Sequence, residues 1–129
     1  MGLNTRYGIY LGSSISNVLS GNRIVSNSEY GLYLMDSGYS SIYNNYLNNT
    51  NNAYFEGTNS GMSLNTTKIR ETNIVGGPYL GGNFWATPES DGFSQTELDT
   101  NGDGICDAAY TLSNESIDYL PLAGSNVTN

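Results

Sequence analysis

Two short segments, 7–11 and 30–34, have the same order of apolar and polar positions. Each reads tyrosine, glycine, aliphatic residue, tyrosine, leucine, and a looser copy follows at 52–55. Side chains of a β-strand alternate between its two faces. The pattern therefore predicts three strands, each with aliphatic or aromatic residues on an inner face and a tyrosine on the outer face.

This alternation assigns individual residues to the two faces. The inner face is predicted to carry Ile9, Leu11, Leu32, Leu34, Ala53 and Phe55. Tyr10, Tyr33 and Tyr54 are predicted to form a column on the outer face. The position before each alternating run is glycine or asparagine, the residue types that tolerate a left-handed or strained backbone.

The offset between the first two copies also relates other parts of the chain, because residues 19–24 align with residues 42–47 in the same way. A fixed period of roughly 20 to 50 residues is typical of solenoids and propellers. Short strands between Asn-, Ser- and Gly-rich corners favour an all-β fold, a short right-handed parallel β-helix whose coils stack about 4.8 Å apart. A β-sandwich with similar strands is the alternative. A leucine-rich repeat is disfavoured because a regular leucine ladder is missing.

The regular repeat covers only the first part of the chain. We predict β-helix coils at 1–56, a last coil with a loop-rich calcium-loop cap at 57–123, and a disordered tail at 124–129. Leu64 and Trp85 are expected to take core places held by aliphatic residues in the earlier coils. The large indole suits the lid that the end of a solenoid needs.

The start of the sequence already lies within the repeat, since residues 4–7 have the phase of residues 27–30. We therefore expect the chain to be the C-terminal part of a longer exported protein, extracellular or at the cell surface. No apolar run approaches the ~18 residues of a membrane span, so membrane insertion is not expected. The open N-terminal coil presents a strand edge and is a candidate contact for a homo-oligomer.

Charge is concentrated at one end of the chain. Residues 89–129 carry eight acidic residues and no basic one, the net charge is −8, and the sequence has no histidine. This distribution disfavours nucleic acid and anionic membrane surfaces as partners and favours cations. Cys106 is the single cysteine, so an internal disulfide is excluded and the state of the thiol is left open.

An acidic loop carries the sharpest local motif. Five residues have the alternating spacing of calcium ligands, the fourth through its backbone carbonyl: Asp99, Asn101, Asp103, Ile105 and Asp107. Ca²⁺ prefers about six to eight oxygen ligands, and Gly104 lets the chain curl around the ion. Tyr110 stands where an EF-hand has glutamate, so Glu97, Asp118 or water would complete the site. The pattern predicts a calcium loop, with a metal-free Asp/Asn/Gly turn as the alternative.

The column of Tyr10, Tyr33 and Tyr54 is a candidate glycan platform. Stacked rings offer flat apolar surface, and neighbouring asparagine side chains can bond sugar hydroxyls. The alternatives are a ladder that stacks on itself and a surface covered by a neighbouring protein. A cell-surface polysaccharide and an envelope protein are therefore the candidate partners.

Residues for catalysis are not evident. Without histidine there is no Ser-His-Asp or Cys-His arrangement, and the acids around Cys106 disfavour its thiolate. We assign no catalytic residue and predict a non-enzymatic module for structure, adhesion or glycan contact. The alternative is the C-terminal fragment of a polysaccharide-acting β-helix enzyme, a lyase, hydrolase or epimerase whose catalytic coils lie upstream.

Several segments resemble a known family. Residues 8–11 and 31–34, with Asn22 and Asn45, are similar to the right-handed parallel β-helix repeats of NosD-like periplasmic copper-binding proteins and of archaeal cell-surface proteins. Three later segments resemble the C-terminal end of methanogen surface β-helix proteins: 73–85, 103–107 and 117–122. The resemblance implies an envelope or carbohydrate-associated module.

The sequence departs from this family at two points. Glu97 stands where such relatives carry a second cysteine before the acidic loop, so the resemblance implies no disulfide partner for Cys106. Copper ligands are also not apparent, because histidine is absent and Met1, Met35 and Met62 form no cluster in the sequence.

Overall fold

Short β-strands make up most of the regular structure in the computed structural model, which describes residues 6–113 and 116–124. The first seven are β1 (Tyr7–Gly12), β2 (Val18–Ser20), β3 (Arg23–Val25), β4 (Tyr30–Met35), β5 (Ser41–Tyr43), β6 (Tyr46–Asn48) and β7 (Ala53–Glu56). They are followed by β8 (Ile69–Arg70), β9 (Tyr79–Leu80), β10 (Phe84–Ala86), a one-turn helix α1 (Phe93–Thr96), β11 (Tyr110–Ser113) and β12 (Ser116–Asp118). The predicted tail at 124–129 lies outside the described residues except for Gly124. Within the described ranges, no helix is long and apolar enough to cross a membrane.

The first sheet has the strand order β1–β4–β7, so it joins the three copies of the repeat. Its strands are parallel and in register, with Tyr10 opposite Tyr33 and Tyr33 opposite Tyr54. Matching positions of successive copies are therefore neighbours on adjacent strands. The prediction of an all-β chain with almost no helix is confirmed, as is the vertical alignment of the tyrosine column.

Two further sets of parallel strands repeat the same step. β2 pairs with β5, and a parallel bridge between Ser41 and Ser63 extends that pair. The third set has the order β10–β6–β3, in which Ile24, Leu47 and Trp85 are register partners. More residues separate Leu47 from Trp85 along the chain than separate Ile24 from Leu47, because the connection before β10 contains an antiparallel hairpin, β8–β9.

The inner sides of these sheets form the main hydrophobic core. Its buried members are Ile24, Leu32, Leu34, Ile42, Leu47, Leu64 and Trp85. The remaining predicted inner-face residues, Ile9, Leu11, Ala53 and Phe55, are partly buried against them. Leu64 and Trp85 are each 1% exposed, so both occupy the core places expected from the repeat.

Asparagines at the corners form hydrogen-bonded ladders that link copies of the repeat. Asn22 Nδ2 donates to Asn45 Oδ1 at 3.0 Å, and Asn45 Nδ2 donates to Asn83 Oδ1 at 2.9 Å. Asp118 ends this asparagine ladder, since its Oδ2 accepts the Asn83 backbone N–H at 2.8 Å. A second ladder runs through Asn27, Asn49 and Asn52. The ladders satisfy backbone groups that the tight corners would otherwise bury without partners.

We call the segment from α1 to residue 122 the cap, and it packs against the parallel strands at β10. The antiparallel pair β11–β12 leads into residues 118–122, whose backbone bonds to the residues just before β10. The Phe93 ring of α1 stacks on Tyr110 at 4.5 Å between centroids, and Tyr110 meets the Trp85 indole edge-on at 5.3 Å. A second, smaller core lies on the other face of β10 and consists of Phe84, Ala86, Ile105 and Leu122. Apolar packing on both faces of β10 therefore ties the cap to the parallel sheets.

Candidate functional site

Five tyrosine rings form a continuous patch on the outer side of the first sheet. We call this patch the tyrosine face, and it consists of Tyr7, Tyr10, Tyr30, Tyr33 and Tyr54. The Tyr33 ring lies in the middle, with its centroid 4.8 Å from that of Tyr7 and 5.2 Å from that of Tyr10. Tyr10 and Tyr54 are 49% and 42% exposed, so the face is open to solvent. Parallel in-register pairing produces it, because that pairing places like side chains above one another.

Tyr7 and Tyr30 belong to this face although strict alternation would put them inside with the leucines. The Tyr30 ring instead stacks on Tyr54 at 5.2 Å. Tyr30 precedes Gly31, which lies close to neighbouring backbone and side chains. A Cβ atom on residue 31 would lie 2.6 Å from Asn49 Nδ2 and 2.9 Å from the Asn52 carbonyl oxygen. The backbone φ of Gly31 is not positive, so glycine is needed here for close approach and not for a left-handed turn. Alternation alone did not assign Tyr7 and Tyr30 to the outer face. The sequence signal for them was the recurrence of tyrosine at the same place in the first two copies.

Charged side chains flank the tyrosine face and are bonded to neighbours. Arg6 lies 4.9 Å from the centroid of the Tyr7 ring, and its Nε donates to Glu29 at 2.7 Å. The Tyr33 hydroxyl donates to Glu56, and this hydrogen bond raises the pKa of the phenol above its usual range. The face therefore combines aromatic surface and neutral hydroxyls with charge at its edges.

The acidic loop at 99–107 folds around the carboxylate of Asp99. This residue is 3% exposed, and its two oxygens accept the N–H groups of Gly102 at 3.1 Å and Gly104 at 2.8 Å. Both glycines lie in the left-handed region, with φ of +73° and +86°. Other residue types are strained there, so the curl of the loop depends on glycine at these positions.

The other predicted calcium ligands use their oxygens within the loop. Asn101 Oδ1 accepts the Asp103 N–H at 3.1 Å, and Asp103 Oδ1 accepts the Ile105 N–H at 2.9 Å. Asp107 accepts hydrogen bonds from the backbone N–H and the hydroxyl of Thr100. Among residues 6–113 and 116–124, no group of three or more His, Cys, Asp or Glu side chains is placed to hold a metal. The loop brings the five predicted positions into one turn, but its three described carboxylates do not all converge on one point.

A lysine from outside the loop contacts its middle carboxylate. Lys68 Nζ donates to Asp103 Oδ2 at 2.6 Å and lies 4.6 Å from the centroid of the Tyr79 ring. Burial by itself would raise the pKa of Asp103, but hydrogen bonds from Lys68 and from the Ile105 N–H hold that pKa below its ordinary value. A positive charge thus already faces the carboxylate at the centre of the predicted metal loop.

Asp118, one of the groups considered for completing the loop, is engaged in the asparagine ladder instead. Its fully buried carboxylate accepts the Asn83 N–H and the Trp85 Nε1–H, both at 2.8 Å, and the Leu120 N–H at 3.1 Å. Burial raises the pKa of Asp118 to about 6, although these three donors oppose the shift. Asp118 therefore joins β12 to β10, a role that the sequence did not indicate.

The repeat region matches a known family. A family model described as periplasmic copper-binding protein (NosD) matches residues 2–90, more than two thirds of the 129 residues. No significant match was found among curated proteins or solved structures. The matched range contains the tyrosine face and the parallel strands up to β10, whereas the acidic loop follows it.

The donor set of this chain does not fit the copper in the family's description. Protein copper sites use imidazole, thiolate or thioether ligands, and the sequence has no histidine. Cys106 is 6% exposed, and its Sγ lies 3.5 Å from the Leu122 carbonyl oxygen. Burial, followed by the charge of Glu97 and other nearby acids, raises the pKa of the thiol to about 12, so it stays protonated at neutral pH. Copper binding is therefore not assigned to this chain.

The family's description also bears on location. A periplasmic family confirms the predicted place of this chain outside the cytoplasm, in an exported protein. The repeat that the family model matches is the one that places strands in parallel register at regular steps. From this match and this register, the chain belongs to the β-helix repeat family described as periplasmic copper-binding protein (NosD).

Proposed function

We propose that this chain is a non-enzymatic module of an exported protein, built as a right-handed parallel β-helix, that contacts glycan through its tyrosine face. The observation that carries the proposal is the face itself, in which neighbouring ring centroids lie 4.8–6.3 Å apart on one open sheet surface. A face of this kind at the surface of an exported module suits adhesion to cell-surface polysaccharide.

The right-handed coil is supported by the strand pairing. Each set of stacked strands is parallel, and the connections between stacked strands pass through the other sets before returning. A connection between parallel strands of one sheet is almost always right-handed, because a strand's own twist favours that hand. The three columns of strands and the continuous core between them agree with a solenoid.

Glycan contact is supported by the chemistry of the tyrosine face. A pyranose ring presents C–H groups on its faces and hydroxyls around its edge, and tyrosine offers a flat apolar ring with a polar tip. The half-open rings of Tyr10 and Tyr54 allow such stacking without rearrangement. The acids closest to the face, Glu29 and Glu56, are bonded to Arg6 and Tyr33, which suits a binding role better than acid–base chemistry.

Glycan binding is tested by replacing the two exposed rings of the face together. The variant Tyr10→Ser/Tyr54→Ser is expected to bind neutral polysaccharides, such as mannan, xylan and a β-glucan, roughly thirtyfold more weakly than the wild type, since each of the two rings contributes about 1 kcal/mol of stacking. Affinity electrophoresis and calorimetry measure the loss. The matched control is Tyr119→Ser, which removes a more exposed tyrosine (63%) outside the face.

Two results would count against this function. If no polysaccharide binds the wild type, or if Tyr119→Ser weakens binding as much as the double variant does, the tyrosine face is not a glycan site. A reducing-sugar assay on the same samples separates binding from cleavage. Release of reducing ends by the wild type would favour the alternative of a polysaccharide-acting enzyme.

Calcium stabilisation of the cap is the second part of the proposal. The loop has oxygen-bearing groups at the required spacing and two glycines in the left-handed region. Asp99 is already fixed inside the curl, while Asn101 and Asp107 are exposed and need only rotate away from local hydrogen bonds. Lys68 occupies one oxygen of Asp103 and would compete with the ion for it.

Calcium at about 1 mM is expected to stabilise the protein by about 1 kcal/mol relative to chelator, the size expected for a weak extracellular site. Thermal unfolding measures this as a rise in Tm of a few degrees. Lys68→Gln removes the competing ammonium and should enlarge the rise, whereas Glu89→Gln, an exposed acid before the loop, should leave it unchanged. Equal Tm values in calcium and in chelator for the wild type and Lys68→Gln would exclude a calcium site.

A further inference from the structure

A cleft of about 250 Å³ lies beside the tyrosine face, between the corner that precedes β7 and the cap. One wall is the corner at 50–53, and the opposite wall is the start of β11 at 110–112. The aromatic residues that line it are Tyr30, Trp85, Phe93 and Tyr110. Thr50, Asn51 and Thr111 are exposed and supply polar groups at its mouth.

We propose that this cleft is a saccharide subsite that binds one neutral pyranose residue of a glycan chain lying on the tyrosine face. The inference rests on the proposed function and deepens it, since it adds a pocket for one sugar to a flat stacking surface. It also assigns a purpose to the junction between the last coil and the cap.

The size of the cleft suits a single sugar residue. Pockets for drug-sized ligands are typically about 300–1,000 Å³, so a cleft of about 250 Å³ takes a smaller molecule. Its lining pairs aromatic rings with hydroxyl and amide groups, the combination that a pyranose requires for its C–H faces and its hydroxyl edge. An extended disaccharide would have to leave one ring outside, where the tyrosine face begins.

The charge of the lining favours an uncharged sugar. Among the described residues that line the cleft, none is acidic or basic. A uronate or a phosphosugar would lose water around its charge without gaining a partner of opposite charge, which is unfavourable. Hydroxyl groups can exchange water for Thr, Asn and Tyr partners at little cost.

Tyr30 connects the cleft to the tyrosine face. Its ring lines the cleft and also stacks on Tyr54, with centroids 5.2 Å apart. A sugar in the cleft and a sugar on Tyr54 would therefore lie on neighbouring rings. This continuity is the reason for assigning the cleft to the same ligand chain as the face and not to an unrelated small molecule.

The chain contains its own reporter for this subsite. Trp85 is the single tryptophan, it lines the cleft, and it contacts Tyr110 at 5.3 Å between ring centroids. Titration of the whole chain with methyl mannoside, methyl glucoside and methyl galactoside is expected to change the tryptophan fluorescence for at least one of them. Methyl glucuronoside, the charged probe, is expected to produce no change.

Two substitutions at the mouth fill the cleft without touching its buried residues. Thr111→Phe and Thr50→Phe, from opposite walls, are each expected to weaken binding of the responding glycoside at least tenfold, or about 1.4 kcal/mol. Thr111→Ser keeps the hydroxyl and the space and is expected to bind as the wild type does. Circular dichroism and the Tm of each variant confirm that the fold is unchanged.

The outcomes distinguish the cleft from the tyrosine face. If a glycoside changes the fluorescence of the wild type and Tyr10→Ser/Tyr54→Ser but not of the filled variants, the subsite is supported whether or not the face binds. If polysaccharide binds through the face while no glycoside affects Trp85 and the filled variants bind normally, the subsite is wrong and the face stands. If neither probe binds, both proposals are overturned.

Discussion

Replacing Trp85 by alanine is expected to lower the free energy of unfolding by about 3–5 kcal/mol, the usual cost of removing a fully buried large aromatic ring. The indole is 1% exposed and closes the core above Leu47. Its Nε1–H also donates to Asp118, so the variant would leave a buried carboxylate with one donor fewer. Domains of this size are typically stable by only about 5–15 kcal/mol, so the loss is a large part of the total. Urea unfolding followed by circular dichroism measures it.

Two controls separate the contributions of packing and hydrogen bonding. Trp85→Phe keeps a large ring but loses the donor to Asp118, and we expect a smaller loss of about 1–3 kcal/mol. Ile15→Ala removes a large side chain that is 62% exposed and should change stability by less than about 0.5 kcal/mol. A Trp85→Ala variant that unfolds at the urea concentration of the wild type would show that the indole does not hold the lid in place.

The stability of the cap is expected to fall as the pH rises from about 4 to about 6, because of Asp118. Burial raises the pKa of this carboxyl from 3.8 to about 6 in the folded protein. A raised pKa means that the folded state binds the proton more tightly than the unfolded state does. The corresponding stabilisation is fully present below about 3.8 and is lost as the pH passes through about 6. Its size is about 3 kcal/mol, since each pKa unit corresponds to about 1.4 kcal/mol.

The variant Asp118→Asn isolates this effect from the other carboxyl groups. The amide oxygen still accepts from Asn83 and Trp85 and continues the asparagine ladder, but it does not titrate. We expect the wild type to lose stability relative to Asp118→Asn between pH 4 and pH 6. Above pH 6 the stability curves of the two proteins are expected to be parallel. Asp103 has a lowered pKa, so its contribution to stability changes with pH in the opposite direction. That contribution is lost as the pH falls below the ordinary pKa of the carboxyl, outside this window. Parallel stability curves of the two proteins across the whole range would contradict the assignment.

These two residues show how the cap and the proposed glycan site depend on each other. Trp85 lies between the core of the coils and the Tyr110 ring, and Tyr110 is part of the wall of the cleft. The carboxylate of Asp118 accepts a hydrogen bond from the Nε1–H of the Trp85 indole. Loosening either contact would change the shape of the cleft as well as the stability of the last rung.

Local repetition in the sequence was enough to predict which strands pair in parallel. The regular offset between copies gave the parallel pairing of Ile24 with Leu47 and the column of Tyr10 over Tyr33, because in-register stacking requires like residues at like positions. Residues 82–85 repeat the order of residues 21–24, with Trp85 in the place of Ile24, and this likeness predicts the indole in the core although a hairpin lengthens the connection before it. The five residues of the acidic loop were identified from their spacing alone, and whether they bind calcium stays a prediction.

Contacts between segments that share no pattern could not be predicted from the sequence. Tyr30 stacks on Tyr54 on the outer side although alternation places it inside, and together with Tyr7 it enlarges the tyrosine face from three rings to five. Asp118 became the end of the asparagine ladder only because the cap brings its strand against Asn83.

The sequence by itself therefore determined the features of strands whose partners are copies of themselves, namely their register and their apolar face. The tertiary structure decided what lies between unlike segments, namely the Lys68–Asp103 pair, the buried Asp118 and the cleft beside Tyr30. The physical reason is that a repeat encodes its own neighbours, whereas a cap packs residues whose contacts depend on the three-dimensional path of the whole chain.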